Sequence, residues 1–233
     1  MRFPVALALL FACTACSRAD APAEEIAEAA EEIVDPTAEP TPLAKGRWAP
    51  RDTCAEVEGA DRFRQRLSAA VEARDTDALV ALAAEDIKLD FGGGAGAAEL
   101  RARLEDDSRN LWGELDTLMA LGCSANEQGG ITIPWYFDQD MGPIDPFMGM
   151  LVTGEDVPVF AGPDPDSRRL TQVSWDVVEI ASFDPEKPRQ QIELAEDETG
   201  FIATDKLRSL IDYRLIASSR NGRWRITSFI AGD

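Results

Sequence analysis

Tyr136 and Tyr213 are the two tyrosines of the chain, and each stands within two positions of an aspartate, Asp138 and Asp212 respectively. There is no histidine. Ser-His-Asp and Cys-His catalysis are thereby excluded, because both need an imidazole that accepts a proton near neutral pH. Acid–base chemistry would have to pair a phenol with a carboxylate, a combination suited to proton transfer beside a carbonyl. Asp90, Asp138 and Asp212 are the nearby carboxylates. Trp135 alternates with Tyr136 in the strand-like run ITIPWYF, so one is expected to face a pocket and the other to face out. Asp90, Trp135, Tyr136, Asp138 and Tyr213 form the candidate ligand pocket, and no catalytic residue is assigned.

Other chemistries fail on spacing. Asp90-Phe91-Gly92 has the letters of the kinase metal triplet, but no His-Arg-Asp loop accompanies it. The glycines at 92, 93, 94 and 96 miss the dinucleotide pattern, because Ala97 stands five residues after Gly92. Asp138, Asp140 and Asp145 could offer oxygens to calcium, yet Gly142 and Gly149 occupy positions where an EF-hand loop needs a carboxylate or amide. Zinc normally draws on histidine or several cysteines. No cofactor and no metal are expected.

The elements that must position these residues follow a long N-terminal preamble. MRFPVALALLFACTAC has one basic residue, Arg2, before an apolar run from Phe3 to Ala12, then small residues. That is the grammar of an export signal, and the run is far shorter than the roughly 20 residues of a membrane span. Thr14-Ala15-Cys16 resembles the lipobox of bacterial lipoproteins, which implies cleavage before Cys16 and a lipid on that residue. Cys13 is the alternative: Leu10 lies three residues before it, but bulky Phe11 intervenes. A secretory signal without lipid is the third reading. Lipidation at Cys16 leaves Cys54 and Cys123 as an even pair, expected to form a disulfide in an oxidising compartment. Ser17 follows the cysteine, which implies sorting to the periplasmic face of a Gram-negative outer membrane.

Residues 17–46 read as an acidic Ala/Glu/Pro tether with eight acidic side chains and few large apolar groups to bury. The whole chain carries 43 acidic and 23 basic side chains, a net charge of −20. Such a balance excludes nucleic acid as a partner, since its affinity rests on clustered Lys and Arg. Beyond the tether, ADRFRQRLSAAVEARD sets Phe63, Leu67, Ala70 and Val71 on one helical face, and Asp75 is placed to cap TDALVALAAE. DIKLDF alternates as a strand, AAELRARLED is a third helix, and Ser108 is expected to cap a fourth, RNLWGELDTLMAL. IDYRLIASSR and RWRITSFIA form a hairpin about Asn221-Gly222. The sheet it builds is expected to include 131–137, because a two-stranded sheet alone is marginal.

Residues 150–209 resemble a bacterial Src-homology-3-like domain. The stretch Val157-Pro158-Val159-Phe160-Ala161-Gly162-Pro163 takes the place of its first strand and turn, and Thr199-Gly200-Phe201-Ile202 followed by Leu207 takes the place of its end. The remaining part, 47–149 plus 210–233, resembles the cone-shaped domain of nuclear transport factor 2 and ketosteroid isomerase. Its final hairpin carries Asn221-Gly222-Arg223-Trp224-Arg225-Ile226. These resemblances imply an α+β fold: helices packed on a curved antiparallel sheet, with a small all-β barrel inserted. They imply a non-catalytic envelope lipoprotein, anchored to the membrane through Cys16, whose domains bind an envelope protein or peptidoglycan. Two alternatives are a small-ligand carrier or sensor using a cone-shaped pocket, and a Tyr/Asp isomerase- or dehydratase-like enzyme.

Overall fold

The computed structural model describes residues 44–194 and 198–232. Cys13, Cys16 and the tether up to residue 43 lie outside them. Among the described residues no helix is long and apolar enough to cross a membrane.

Four short helices open the described part: α1 (Ala60–Glu72), α2 (Thr76–Leu82), α3 (Ala97–Leu104) and α4 (Leu111–Met119). α1 buries Phe63, Leu67, Ala70 and Val71, the spacing that one apolar helix face requires. Asp75 caps α2 by accepting a hydrogen bond from the Ala78 amide at 2.9 Å. The cap before α4 is not Ser108. Asp106 accepts from Ser108 to start a short 3-10 turn, and Asn110, in the left-handed region at φ 48°, precedes Leu111.

Twelve strands follow the helices or lie between them. They are β1 (Ala83–Lys88), β2 (Ser124–Ala125), β3 (Ile131–Ile133), β4 (Gly149–Val152), β5 (Val157–Phe160), β6 (Arg169–Val173), β7 (Val177–Glu179), β8 (Arg189–Glu193), β9 (Thr199–Ala203), β10 (Leu207–Ser209), β11 (Arg214–Arg220) and β12 (Arg223–Ile230). They form sheets of order β1-β12-β11-β3-β2, β10-β4-β7 and β6-β5-β9-β8. Asn221 and Gly222 take φ of 54° and 72°, the left-handed pair that matches a two-residue hairpin to strand twist. β11 pairs with β3 at Leu215↔Ile133 and Ala217↔Ile131, so the hairpin joins the strand that precedes it by some eighty residues.

The expected fold class is overturned. Among the described residues strand outweighs helix at 31% against 25%, in three sheets rather than one curved sheet with a barrel. The largest sheet is not antiparallel throughout: β1 emerges directly from α2 and runs parallel to β12, Ala83↔Ile226 and Lys88↔Ser228. Residues 149–209 divide their hydrogen bonds between the two smaller sheets instead of closing one barrel. The physical reason is brevity. Arg74, the glycines after Asp90 and Asn110 all demand or favour left-handed or open backbone, so no helix among the described residues exceeds 13 residues.

Three apolar clusters hold these elements. The largest joins the helix faces to β3, β11 and β12, with Leu67, Leu115, Ile131 and Leu215 fully buried. A smaller one gathers Val152, Val159, Ile192 and Ile202 from the two small sheets. Gly200 lets β9 approach β5, because a Cβ there would lie 2.4 Å from Val159 Cγ1. The third cluster, with Trp48, Leu121, Trp135, Tyr136, Leu151 and Leu210, packs between them. Cys54 and Cys123 form the expected disulfide, with Cα atoms 5.8 Å apart. Backbone bonds flank it, Cys123 N–H to Arg51 O at 2.8 Å and Thr53 N–H to Cys123 O at 2.9 Å.

Candidate functional site

β10 is a three-residue strand whose middle side chain points inward, and that side chain is Arg208, 7% exposed. A buried guanidinium is tolerable only when its donors are satisfied. Arg208 Nε donates to the Tyr136 hydroxyl at 3.2 Å, and Nη2 donates to the Tyr213 carbonyl at 2.9 Å. Nη1 faces two carboxylates, Asp212 at 3.1 Å and Glu114 at 3.4 Å. Glu114 sits in the first turn of α4, where a carboxylate also suits the helix dipole.

This arrangement fixes protonation states. Burial pushes the Tyr136 phenol above its ordinary range, with Arg208 pulling the other way, so Tyr136 is neutral at neutral pH. Burial raises the Glu114 carboxyl, and the charge on Asp212 adds to that, while Arg208 opposes both. Burial likewise raises Tyr213, whose ring packs on Phe229 at 5.0 Å between centroids.

Tyr136 has a second aspect. It lines an open hollow of about 310 Å³ with Phe137, Met141, Ile144, Leu210 and Arg214. Arg214 lies 4.4 Å over the Phe137 ring and donates to the Gly232 carbonyl at 2.7 Å. Pro146 completes one side, and Phe147 next to it is 62% exposed.

Of the five residues expected to form one pocket, Tyr136 alone lines the hollow beside Arg214. After Pro134 the chain leaves the sheet as a 3-10 turn, Trp135–Asp138, so both aromatics are buried instead of alternating. Trp135 packs on Trp48 at 6.3 Å beneath the Arg51 guanidinium. Asp138 is half-buried, its carboxyl raised by burial against the opposing hydroxyls of Thr132 and Ser124. Asp90 is a turn residue: it accepts from the Gly92 and Gly94 amides at 2.8 and 2.7 Å and pairs with Arg103. The space between helices and sheet is filled by Phe63, Leu67, Leu115, Leu215 and Trp224, not left as a cone-shaped pocket. Asp140 and Asp145 each close their own short turn, onto the Gly142 and Phe147 amides. Asp52 lies beside Cys54 and Cys123, but both sulfurs are committed to the disulfide and cannot ligate a metal.

Arg208 and Glu114 were not among the sequence candidates. The signal for Arg208 was present in the alternation Leu207-Arg208-Ser209-Leu210, which puts an arginine at an inward position. Glu114 had none, since its partner lies 94 residues away. Comparison of the chain with protein-family models, curated proteins and solved structures finds no match.

Proposed function

We propose that the chain is a non-catalytic exported lipoprotein, anchored through Cys16, whose folded part holds an apolar segment of an envelope protein in the hollow beside Tyr136. The lining of that hollow carries the reading. Phe137, Met141, Ile144, Leu210 and Ile211 offer apolar walls, and exposed Phe147 adds contact area outside them. Aromatic and Met side chains of this kind anchor protein interfaces. A catalytic reading has less support, because Glu114 and Asp212 turn to Arg208 and neither lines the hollow. A carrier reading has less support because the interior beneath the helices is packed.

A photo-crosslinking side chain placed at Phe147 tests the reading in the cell envelope. One discrete adduct is expected, lost when Ile144→Glu puts a charge in the hollow. A crosslinker at Leu170, a second exposed apolar position at 36%, is expected to give none. No adduct at 147, or equal adducts at both positions, overturns the docking surface. Mass spectrometry of the membrane extract checks the anchor: a lipid on an N-terminal Cys16 is expected, and an intact Met1 refutes it.

A further inference from the structure

In so acidic a chain, arginines without a carboxylate partner are informative by position. Arg64, Arg74, Arg101, Arg103, Arg109 and Arg208 are all in ion pairs. Arg62, Arg66, Arg220, Arg223 and Arg225 have none among the described residues, as is also true of the scattered Arg47, Arg168, Arg169 and Arg189, but these five gather at one place. Arg62, Arg66, Arg223 and Arg225 line a hollow of about 320 Å³ between the start of α1 and the β11–β12 hairpin. Arg220, Arg223 and Arg225 line a second, of about 230 Å³, opposed by a single carboxylate, Asp86. Arg223 and Arg225 belong to both.

Local geometry makes this grouping unavoidable. Arg62 and Arg66 are one helical turn apart on α1, and Arg223 and Arg225 are two residues apart on β12, hence on one face each. Arg220 lies directly across from Arg223 in the hairpin register. Like charges in such positions work against the fold, and among the described residues none of them is ion-paired to a carboxylate, Asp86 being the one acid that lines either hollow. Trp224 fixes the spacing between the two sets: its Nε1–H donates to Glu58 O at 3.1 Å and its ring stacks on Phe63 at 5.7 Å. Gly59, at φ 77°, is required there, since a Cβ would sit 3.0 Å from Trp224 Nε1. Gly59 also caps α1 with no side-chain bond, so the positive end of that helix adds to the same hollow.

We propose that this face binds a soluble small anion carrying two directly linked phosphate groups, held by Arg223 and Arg225 where the two hollows meet. Guanidinium forks match phosphate oxygens two at a time. Two adjoining concavities suit a two-headed ligand better than a flat anionic surface. The net negative charge of the chain does not prevent it, because charges beyond about 8 Å are largely screened at physiological ionic strength. The site stands apart from the hollow at Tyr136 and does not depend on it.

Calorimetric titration of the full chain with inorganic pyrophosphate tests the proposal. Saturable one-to-one binding is expected, weaker by tenfold or more in Arg223→Ser/Arg225→Ser and, separately, in Arg62→Ser/Arg66→Ser. Arg168→Ser, at an exposed arginine elsewhere, should bind as the parent does. Because the two double variants alter different elements, misfolding of one leaves the other decisive. Absence of binding, equal binding by all variants, orthophosphate binding as tight as pyrophosphate, or binding only to vesicles of anionic lipid would each overturn it.

Discussion

The two halves of the described molecule rest on very different cores. The helices with the five-stranded sheet share 24 buried residues in one cluster, while the two small sheets share eight. The larger half also has a disulfide; the smaller has none among the described residues. Short strands with so little apolar area are weak alone. What compensates is the seam. Leu151 and Leu210 from the small-sheet side pack with Leu121 and Trp135 from the other, and Arg208 reaches across to Glu114 and Tyr136. The contrast teaches that the smaller half is held by its neighbour as much as by itself.

Breaking the seam should therefore produce the largest effect. Arg208→Met keeps the apolar stem and removes the charge, leaving Glu114 and Asp212 without their shared cationic donor. Loss of one member of a buried charged group costs about 3–5 kcal/mol. Denaturant unfolding should show that loss, and amide exchange should rise first in β4, β9 and β10 while β11 and β12 stay protected. A loss under about 1 kcal/mol, or uniform exchange, would mean that the apolar contacts alone hold the seam.

The same contrast decides what could be read from the sequence. Local signals were legible. The Asn221-Gly222 hairpin, the cap at Asp75, the apolar face of α1 and the disulfide pair are all written within a few residues or in cysteine parity. The pairing of β11 with β3 also followed, from the need to cover apolar helix faces. Strand direction did not: Ala83 and Ala84 continue a helical pattern, and only pairing with β12 makes them strand. The split of residues 149–209 into two sheets depends on pairings between short strands with no single local mark. Trp135 and Tyr136 were misplaced for a related reason, since a strand reading of ITIPWYF set them on opposite faces and they instead lie together in a buried 3-10 turn. The Arg208 centre assembles groups from α4, the 3-10 turn and β10, and no window of sequence contains it.

A second perturbation sharpens the comparison from the other side. Cys54 and Cys123 close a loop with a sequence separation of 69, and opening such a loop costs about 2–4 kcal/mol in the chain-entropy view. Cys54→Ser/Cys123→Ser should lower the stability of the helical half by that amount. Exchange in β5, β8 and β9 should change less than exchange in α1 and β3. Equal loosening of both halves would show that the disulfide supports the seam and not only its own half.

The smallest expected effect separates two carboxylates by sign. Asp90 belongs to the larger half and is exposed enough to stay ionised; its bond to Arg103, then the Gly94 amide, hold it below the ordinary 3.8. Its contribution is present above about pH 4 and is lost as pH falls through its folded value. Glu114 lies at the seam, raised above 4.5 by burial and then by Asp212. Its contribution is complete below that value and is lost as pH rises through its folded value. Thermal unfolding of Asp90→Asn and Glu114→Gln beside the parent, from about pH 7 down to about pH 3, should show opposite trends. The deficit of Asp90→Asn closes as the solution is acidified, because the parent loses its ionised bond. The deficit of Glu114→Gln opens over the same range, because the parent then gains a neutral carboxyl that its surroundings favour. Parallel trends in the two variants would mean that Glu114 is charged and stabilised by Arg208 in the same way that Asp90 is by Arg103, and the seam would then rest on ion pairing and not on a buried, reluctant acid.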